Sequence, residues 1–168
     1  MKTTCLLVSF GMALAMDVAH ADGGSVAVAS QGETIVASTS GNLKVRVKIK
    51  THEVQIGKPS DARPAVIESN CTYSKYPCSI VDWLGITVNG TALFVPRSAF
   101  CSLADLNKAE VKVSKKGWIL RLDGGDGAES FIAKIEFDAT QVQRRTLAGG
   151  ESADQLSEET RYHAVVFD

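Results

Sequence analysis

The sequence lacks the short motifs that assemble chemistry locally. Its 168 residues contain no Gly-x-Ser-x-Gly elbow of a serine hydrolase and no glycine-rich phosphate-binding loop. No acidic residues are spaced as in an EF-hand loop. We therefore assign no catalytic residue, no metal ligand and no cofactor, and we expect a protein that is not an enzyme.

The sequence also lacks an excess of one charge. Lys and Arg together number 18 against 19 Asp and Glu, which gives a formal net charge of -1. Such a balance creates no global attraction to nucleic acid or to an anionic membrane. We expect no nucleic-acid partner, and any charged ligand must be recognised by a local patch.

No apolar run is long enough to span a bilayer as a helix. The apolar stretch from Cys5 to Met16 falls short of the roughly 20 residues required. It follows Lys2, and Ala19-His20-Ala21 places small residues at the -3 and -1 positions of a cleavage site. The sequence therefore predicts a signal peptide over residues 1–21 and an exported, periplasmic or secreted, single domain over 22–168, without membrane insertion after cleavage.

Alternating apolar residues predict strands along most of the mature chain. Leu43 to Lys50 alternates strictly, and the opposite parity of Val54 and Ile56 predicts a bulge or bend at Thr51 to Glu53. Asn89-Gly90 predicts a type I′ hairpin in which Val88 faces Thr91, Ile86 faces Leu93 and Leu84 faces Val95. This register leaves Gly85, Thr87, Ala92 and Phe94 on the opposite face.

The rest of the chain is also predicted to form mainly short strands joined by turns. A hairpin around Lys115 to Gly117 and strands over Phe131 to Asp138 and Val142 to Leu147 are predicted. The other assignments are an edge strand or flexible leader at Asp22 to Gly32, a short strand at Ala65 to Glu68, one short helix from Ser102 to Ala109, an acidic loop from Ala148 to Thr160 and a closing strand from Tyr162 to Phe167. The fold class is all-β, a small antiparallel sandwich or partly open barrel with one short helix. Trp83 and Trp118 are predicted core residues.

The most unusual feature is a row of four cations on alternate residues, Lys44, Arg46, Lys48 and Lys50, which we call the basic row. The row could bind an anionic polymer, pair with an acidic strand such as the one bearing Glu136 and Asp138, or protect an exposed sheet edge. We expect the row to be exposed and to line no pocket. Its four residues are candidate binding residues.

Cysteine is scarce, and the mature chain keeps Cys71, Cys78 and Cys101. In an oxidising compartment we expect one disulfide and one remaining thiol. We favour Cys71 with Cys78 because both flank one polar loop, although a link from Cys71 to Cys101 would stabilise by roughly a kcal/mol more than the about 2.5 kcal/mol of the short loop. The chain-entropy gain alone therefore does not decide the pairing.

The loop inside this disulfide carries Tyr73, Tyr76 and Pro77. Aromatic side chains on a tethered loop can anchor a protein partner, so Tyr73 and Tyr76 are candidate binding residues. The alternative is that these rings pack against the edge of the sheet.

Two weaker candidate sites remain. Cys101 could act as a nucleophile with His52 or His163, but nothing in the sequence brings these residues together. Asp123, Asp126 and Glu129 lie on a glycine-rich turn that suits Ca²⁺ and equally suits a tight turn between strands, so we assign no ligand there.

The sequence as a whole predicts an exported, non-catalytic binding protein that engages a protein partner, as inhibitors and immunity proteins do. An anionic polymer is a further candidate ligand of the basic row. The alternative is a hydrolase or carbohydrate-active enzyme whose site is scattered over loops.

Overall fold

The computed structural model describes residues 24–56, 71–72 and 75–163. The ten strands are β1 Val26–Ala27, β2 Gly32–Ser40, β3 Leu43–Val54, β4 Cys78–Val88, β5 Thr91–Leu93, β6 Leu106–Ser114, β7 Gly117–Gly124, β8 Phe131–Phe137, β9 Val142–Gly149 and β10 Leu156–Arg161. Short 3-10 turns cover Arg97–Ala99 and Gly127–Glu129. The predicted signal peptide, the strand at Ala65 to Glu68 and Tyr73 lie outside the described residues.

The strands form two antiparallel sheets around a shared core. One sheet has the order β2-β3-β4-β5, and the other has the order β1-β6-β7-β8-β9-β10. Val47 and Ile86 of the first sheet belong to the same buried cluster as Leu120 and Ile135 of the second. The all-β prediction is confirmed, and the first sheet has one face in this core and one outer face.

Strand β3 shows why alternating apolar and charged residues predict which side chains face the core. Val45, Val47 and Ile49 are almost completely buried, whereas the cations between them lie on the outer face. The pairing with β4 shifts at Lys50, which lies opposite Trp83, while Thr51 lies opposite Val81. The predicted irregularity is confirmed, but β3 continues to Val54.

The Asn89-Gly90 hairpin is confirmed. Both residues have positive φ, 49° and 81°, as a type I′ turn requires, and Val88 pairs with Thr91 and Ile86 with Leu93. The predicted pair of Leu84 with Val95 is wrong because β5 ends at Leu93 and the chain then enters the 3-10 turn that follows Pro96.

The predicted helix from Ser102 to Ala109 is wrong. Leu106–Ser114 is strand β6, which pairs with β1 and β7. Asp105 sits in the left-handed region at φ 51°, and its carboxylate accepts hydrogen bonds from distant backbone N–H groups instead of capping a helix. Pairing between strands therefore overrides the local capping pattern.

Both ends of the described chain also differ in part from expectation. The edge-strand alternative is confirmed for β1, which pairs with β6 at Ala109. The predicted loop from Ala148 to Thr160 is wrong in its second half, because Leu156–Arg161 is the edge strand β10. Most of its residues are exposed, so no apolar alternation marks it in the sequence. Tyr162 and His163 follow it without forming a strand.

Candidate functional site

The basic row lies on the outer face of the four-stranded sheet. Strand β3 runs between β2 and β4, so the row does not protect a sheet edge. Glu136 and Asp138 belong to the other sheet or to the turn after it, so the alternative in which the row pairs with that acidic strand is wrong. Lys44, Arg46 and Lys50 are exposed and Lys48 is half-buried.

The row is only partly neutralised. Lys48 Nζ lies 2.9 Å from Glu33 Oε1 on β2, with about a third of each side chain exposed. In residues 24–56, 71–72 and 75–163, this is the one ion pair that a member of the row makes. A surface pair of this kind contributes little to stability, and the other three cations of the row make no ion pair within the same described ranges.

Trp83 extends the row with an aromatic surface. Its side chain is 45% exposed, and Lys50 Nζ lies 5.9 Å from its ring centroid, within the range of a cation–π contact. A Cβ on Gly85 would overlap the indole ring. Glycine at position 85 therefore lets the ring lie against the strand, and the prediction that Trp83 is a core residue is wrong.

These residues enclose a shallow groove, which we call the outer-face groove. Arg46 and Lys48 line it from β3, Trp83 and Gly85 from β4, and Ala92 from β5, around a volume of about 290 Å³. The expectation that the row lines no pocket is therefore wrong. The groove combines an aromatic ring, an apolar lining and two cations.

A second aromatic side chain is exposed at the end of β5. Phe94 is 83% exposed, and it lines another cavity, of about 360 Å³, with Pro96, Tyr162 and His163. Aromatic residues and Arg are enriched among residues that dominate protein interfaces. Arg46 and Trp83, which both line the outer-face groove, are of these two types.

The disulfide loop is attached to the second sheet. Cys71 and Cys78 are bonded, with their Cα atoms 5.7 Å apart, as predicted. The carboxylate of Asp105 accepts hydrogen bonds from the N–H of Thr72 at 2.7 Å and of Ser79 at 2.9 Å. Because each donor follows a bonded cysteine, Asp105 fixes both ends of the loop beside β6.

Tyr76 does not present its hydroxyl to solvent. Its oxygen is buried and accepts or donates no hydrogen bond among the residues described. The ring lines a cavity of about 430 Å³ together with Glu53 and Lys75. This placement fits the alternative of packing at the sheet edge, and the binding role of Tyr73 and Tyr76 stays a prediction.

The structure places one of the two candidate thiol and histidine pairs in a common cavity. Cys101 and His52 line a cavity of about 360 Å³ with Asp82 and Arg97. His52 Nδ1 lies 2.7 Å from Asp82 Oδ1. A carboxylate in this position orients the imidazole, as in nucleophilic sites. His163 lies instead beside Phe94.

The acidic turn is engaged within the protein. Asp123 Oδ1 accepts a hydrogen bond from Arg121 Nε at 2.8 Å. Within the described part of the chain, no three His, Cys, Asp or Glu side chains are placed to hold a metal ion.

Charges on β8 to β10 are paired within the second sheet. Arg145 is 1% exposed and donates hydrogen bonds to Glu158 and to Ser102 Oγ, the latter at 2.9 Å. The hydrogen bond from Arg145 holds the pKa of Glu158 below its ordinary value. Arg144 contacts Glu136 at 2.5 Å, and this hydrogen bond raises the pKa of Arg144.

Comparison with known proteins adds no relative. No family model, no curated protein and no solved structure matches the chain. Among the described residues, no helix has the length and apolar character needed to cross a bilayer.

Proposed function

We propose that this protein is an exported, non-catalytic binding protein that docks an acidic protein partner on the outer face of its four-stranded sheet. The observation that carries the proposal is the outer-face groove, in which Trp83 lies exposed beside Arg46 and Lys48. Trp and Arg are among the residue types that are enriched at protein interfaces and that contribute most of the binding energy there.

A protein partner is favoured over an anionic polymer by the aromatic side chain of Trp83. A polyanion gains most of its affinity from charge alone and needs no apolar contact. Trp83 adds exposed apolar area beside the row, and burying such area is the main gain in protein association. Binding should therefore weaken with salt but not disappear.

Export is the second part of the proposal. The apolar stretch after Lys2 and the small residues at Ala19 and Ala21 support cleavage after Ala21. The disulfide between Cys71 and Cys78 fits an oxidising compartment, periplasmic or extracellular. Two antiparallel sheets on a common core fit a β-sandwich. N-terminal sequencing of the exported protein should begin at Asp22, and an uncleaved Met1 would contradict export by this route.

The binding test uses two variants that remove the same number of positive charges. In the row variant, Lys44, Arg46, Lys48 and Lys50 become Ser. In the control variant, four exposed lysines of β6 and its hairpin, Lys108, Lys112, Lys115 and Lys116, become Ser. Both proteins are immobilised and challenged with the exported fraction of the host in physiological salt.

The proposal expects the control variant and the unchanged protein to retain the same acidic protein, and the row variant to lose it. Retention by the row variant would overturn the assigned surface. Equal loss in both variants would indicate a dependence on total charge alone, which also overturns it.

A thiol-dependent hydrolase is the second candidate, and the cavity shared by Cys101 and the His52–Asp82 pair favours it. A hydrolase of this kind should acylate Cys101 when an activated ester is supplied, and His52→Ala should slow the reaction. The binding proposal expects Cys101→Ser to leave partner retention unchanged. A covalent acyl adduct at Cys101, detected by mass spectrometry and dependent on His52, would instead favour the enzyme.

A further inference from the structure

We infer that the partner presents an extended segment with acidic side chains at alternate positions, and that this segment lies along β3 over the basic row. The inference rests on the proposed function and specifies the part of the partner that makes contact. It follows from the spacing of the cations, from their partial neutralisation and from the groove beside them.

The spacing of the row matches an extended chain. Residues two apart on a strand are separated by about 7 Å, so Lys44 to Lys50 present four cations along a line of about 20 Å. An extended partner segment repeats its side chains on one face at the same interval. Carboxylates at every second position can therefore meet successive cations without a change of register.

Part of the positive charge of the basic row is not neutralised by the described residues of the protein. Glu33 contacts Lys48 on one flank, and Lys50 contacts the face of Trp83. Where the structure describes the chain, Lys44 and Arg46 make no ion pair. Arg46 is the strongest candidate for a bidentate contact, because its guanidinium matches the geometry of a carboxylate.

The outer-face groove supplies the apolar part of the contact. It lies over β4, one strand spacing to the side of the row, between β3 and β5. Trp83 bounds the groove, and its indole ring lies against Gly85, where a side chain would collide with it. An apolar side chain next to the acidic segment can occupy this space while the carboxylates contact β3.

The test compares three peptides of equal length, of which the first two have identical composition. One peptide alternates Glu with Thr, a second groups the same Glu residues in one block, and a third replaces every Glu by Gln. Binding to the full-length mature protein is measured by fluorescence anisotropy at low and at physiological salt. A heparin oligosaccharide of similar charge serves as the non-peptide polyanion.

We expect the alternating peptide to bind about tenfold more tightly than the block peptide, and the Gln peptide to show no binding. Arg46→Ser with Lys48→Ser should abolish this preference, whereas Lys112→Ser with Lys115→Ser should retain it. Circular dichroism of both double variants shows whether either has lost the fold.

Equal affinity for the alternating and block peptides would overturn the inference, and so would tighter binding of heparin than of either peptide. Neither result by itself overturns the proposed function, because a folded acidic partner could still require the row. That function fails only if the row variant retains the partner, or if row and control variants lose it equally, in the capture experiment.

Discussion

The two sheets carry their charges in opposite ways. On β8 to β10, Arg144 lies 2.5 Å from Glu136, Arg145 pairs with Glu158, and Arg161 lies 2.7 Å from Glu159. Among the four cations of the basic row on β3, in the part of the chain with described structure, Lys48 alone has an acidic partner. Strands readily place opposite charges side by side. A row that uses this option once and lies beside an exposed tryptophan is suited to an external ligand.

Removing the buried charge of Arg145 from the second sheet should destabilise the protein far more than removing an exposed charge. Arg145→Ala should lower the free energy of unfolding by about 3 kcal/mol, because the side chain is 1% exposed. Its loss leaves a buried cavity and removes the hydrogen bond that Ser102 Oγ accepts. Arg161→Ala, 69% exposed at its side chain, should cost less than about 1 kcal/mol. Urea denaturation measures both, and similar losses would remove the distinction between buried and surface pairs.

The disulfide should have the next largest effect. Replacing Cys71 and Cys78 together by Ser should destabilise the protein by about 2.5 kcal/mol on the chain-entropy estimate. Asp105 keeps its two hydrogen bonds to the loop backbone in this variant, so the protein should still fold. Thermal unfolding without reductant checks the loss. An unchanged melting temperature would show that Asp105 alone fixes the loop.

The acid side of the stability profile depends on the paired sheet. Arg145 lowers the pKa of folded Glu158, so the pair stabilises the fold above the ordinary glutamate pKa of about 4.3. That contribution is lost as the pH falls through the lower folded value. Glu158→Gln should therefore be less stable than the unchanged protein at neutral pH, and the difference should shrink below about pH 4. A difference that stays constant with pH would contradict the pairing.

The basic row should show the smallest effect on stability. The row variant should unfold within about 1 kcal/mol of the unchanged protein, because its side chains lie at the surface and include one half-buried pair. Differential scanning calorimetry of the row and control variants gives the comparison. A loss of several kcal/mol in the row variant alone would mean that the row serves the fold.

The sequence predicts the parts of the fold in which local and global patterns agree. Strand β3 alternates between buried valines and exposed cations, and Asn89-Gly90 fixes a hairpin register through its positive φ angles. Strand β10 is exposed and polar, so its pairing with β9 leaves no periodic signal. Asp105, directly before β6, belongs to a helix-capping pattern in the sequence, but its carboxylate accepts hydrogen bonds from the two ends of the disulfide loop instead.

The candidate site could be predicted in part. The alternation of β3 places the cations on one face of the sheet. The groove also requires Trp83 and Gly85 of β4 and Ala92 of β5, and the alternation of β3 does not show that these residues lie beside the row. One signal does point to the ring. Leu84, Ile86 and Val88 are buried, so the parity of β4 places Trp83 and Gly85 together on the outer face. No such signal in the sequence indicates that Cys101 and His52 line one cavity, because their placement depends on the path of the chain after β5.

The fluorescence emission of Trp83 reports whether an acidic segment binds at the outer-face groove. The chain has two tryptophans, and Trp118 is 4% exposed and stacked on Phe137. Trp118→Phe therefore leaves Trp83 as the reporter while keeping an aromatic ring in the core. We expect a saturable blue shift of this emission when the alternating acidic peptide is added, and no shift with the Gln peptide. Binding of the acidic peptide, measured by anisotropy, without any change in Trp83 emission would contradict docking at this groove.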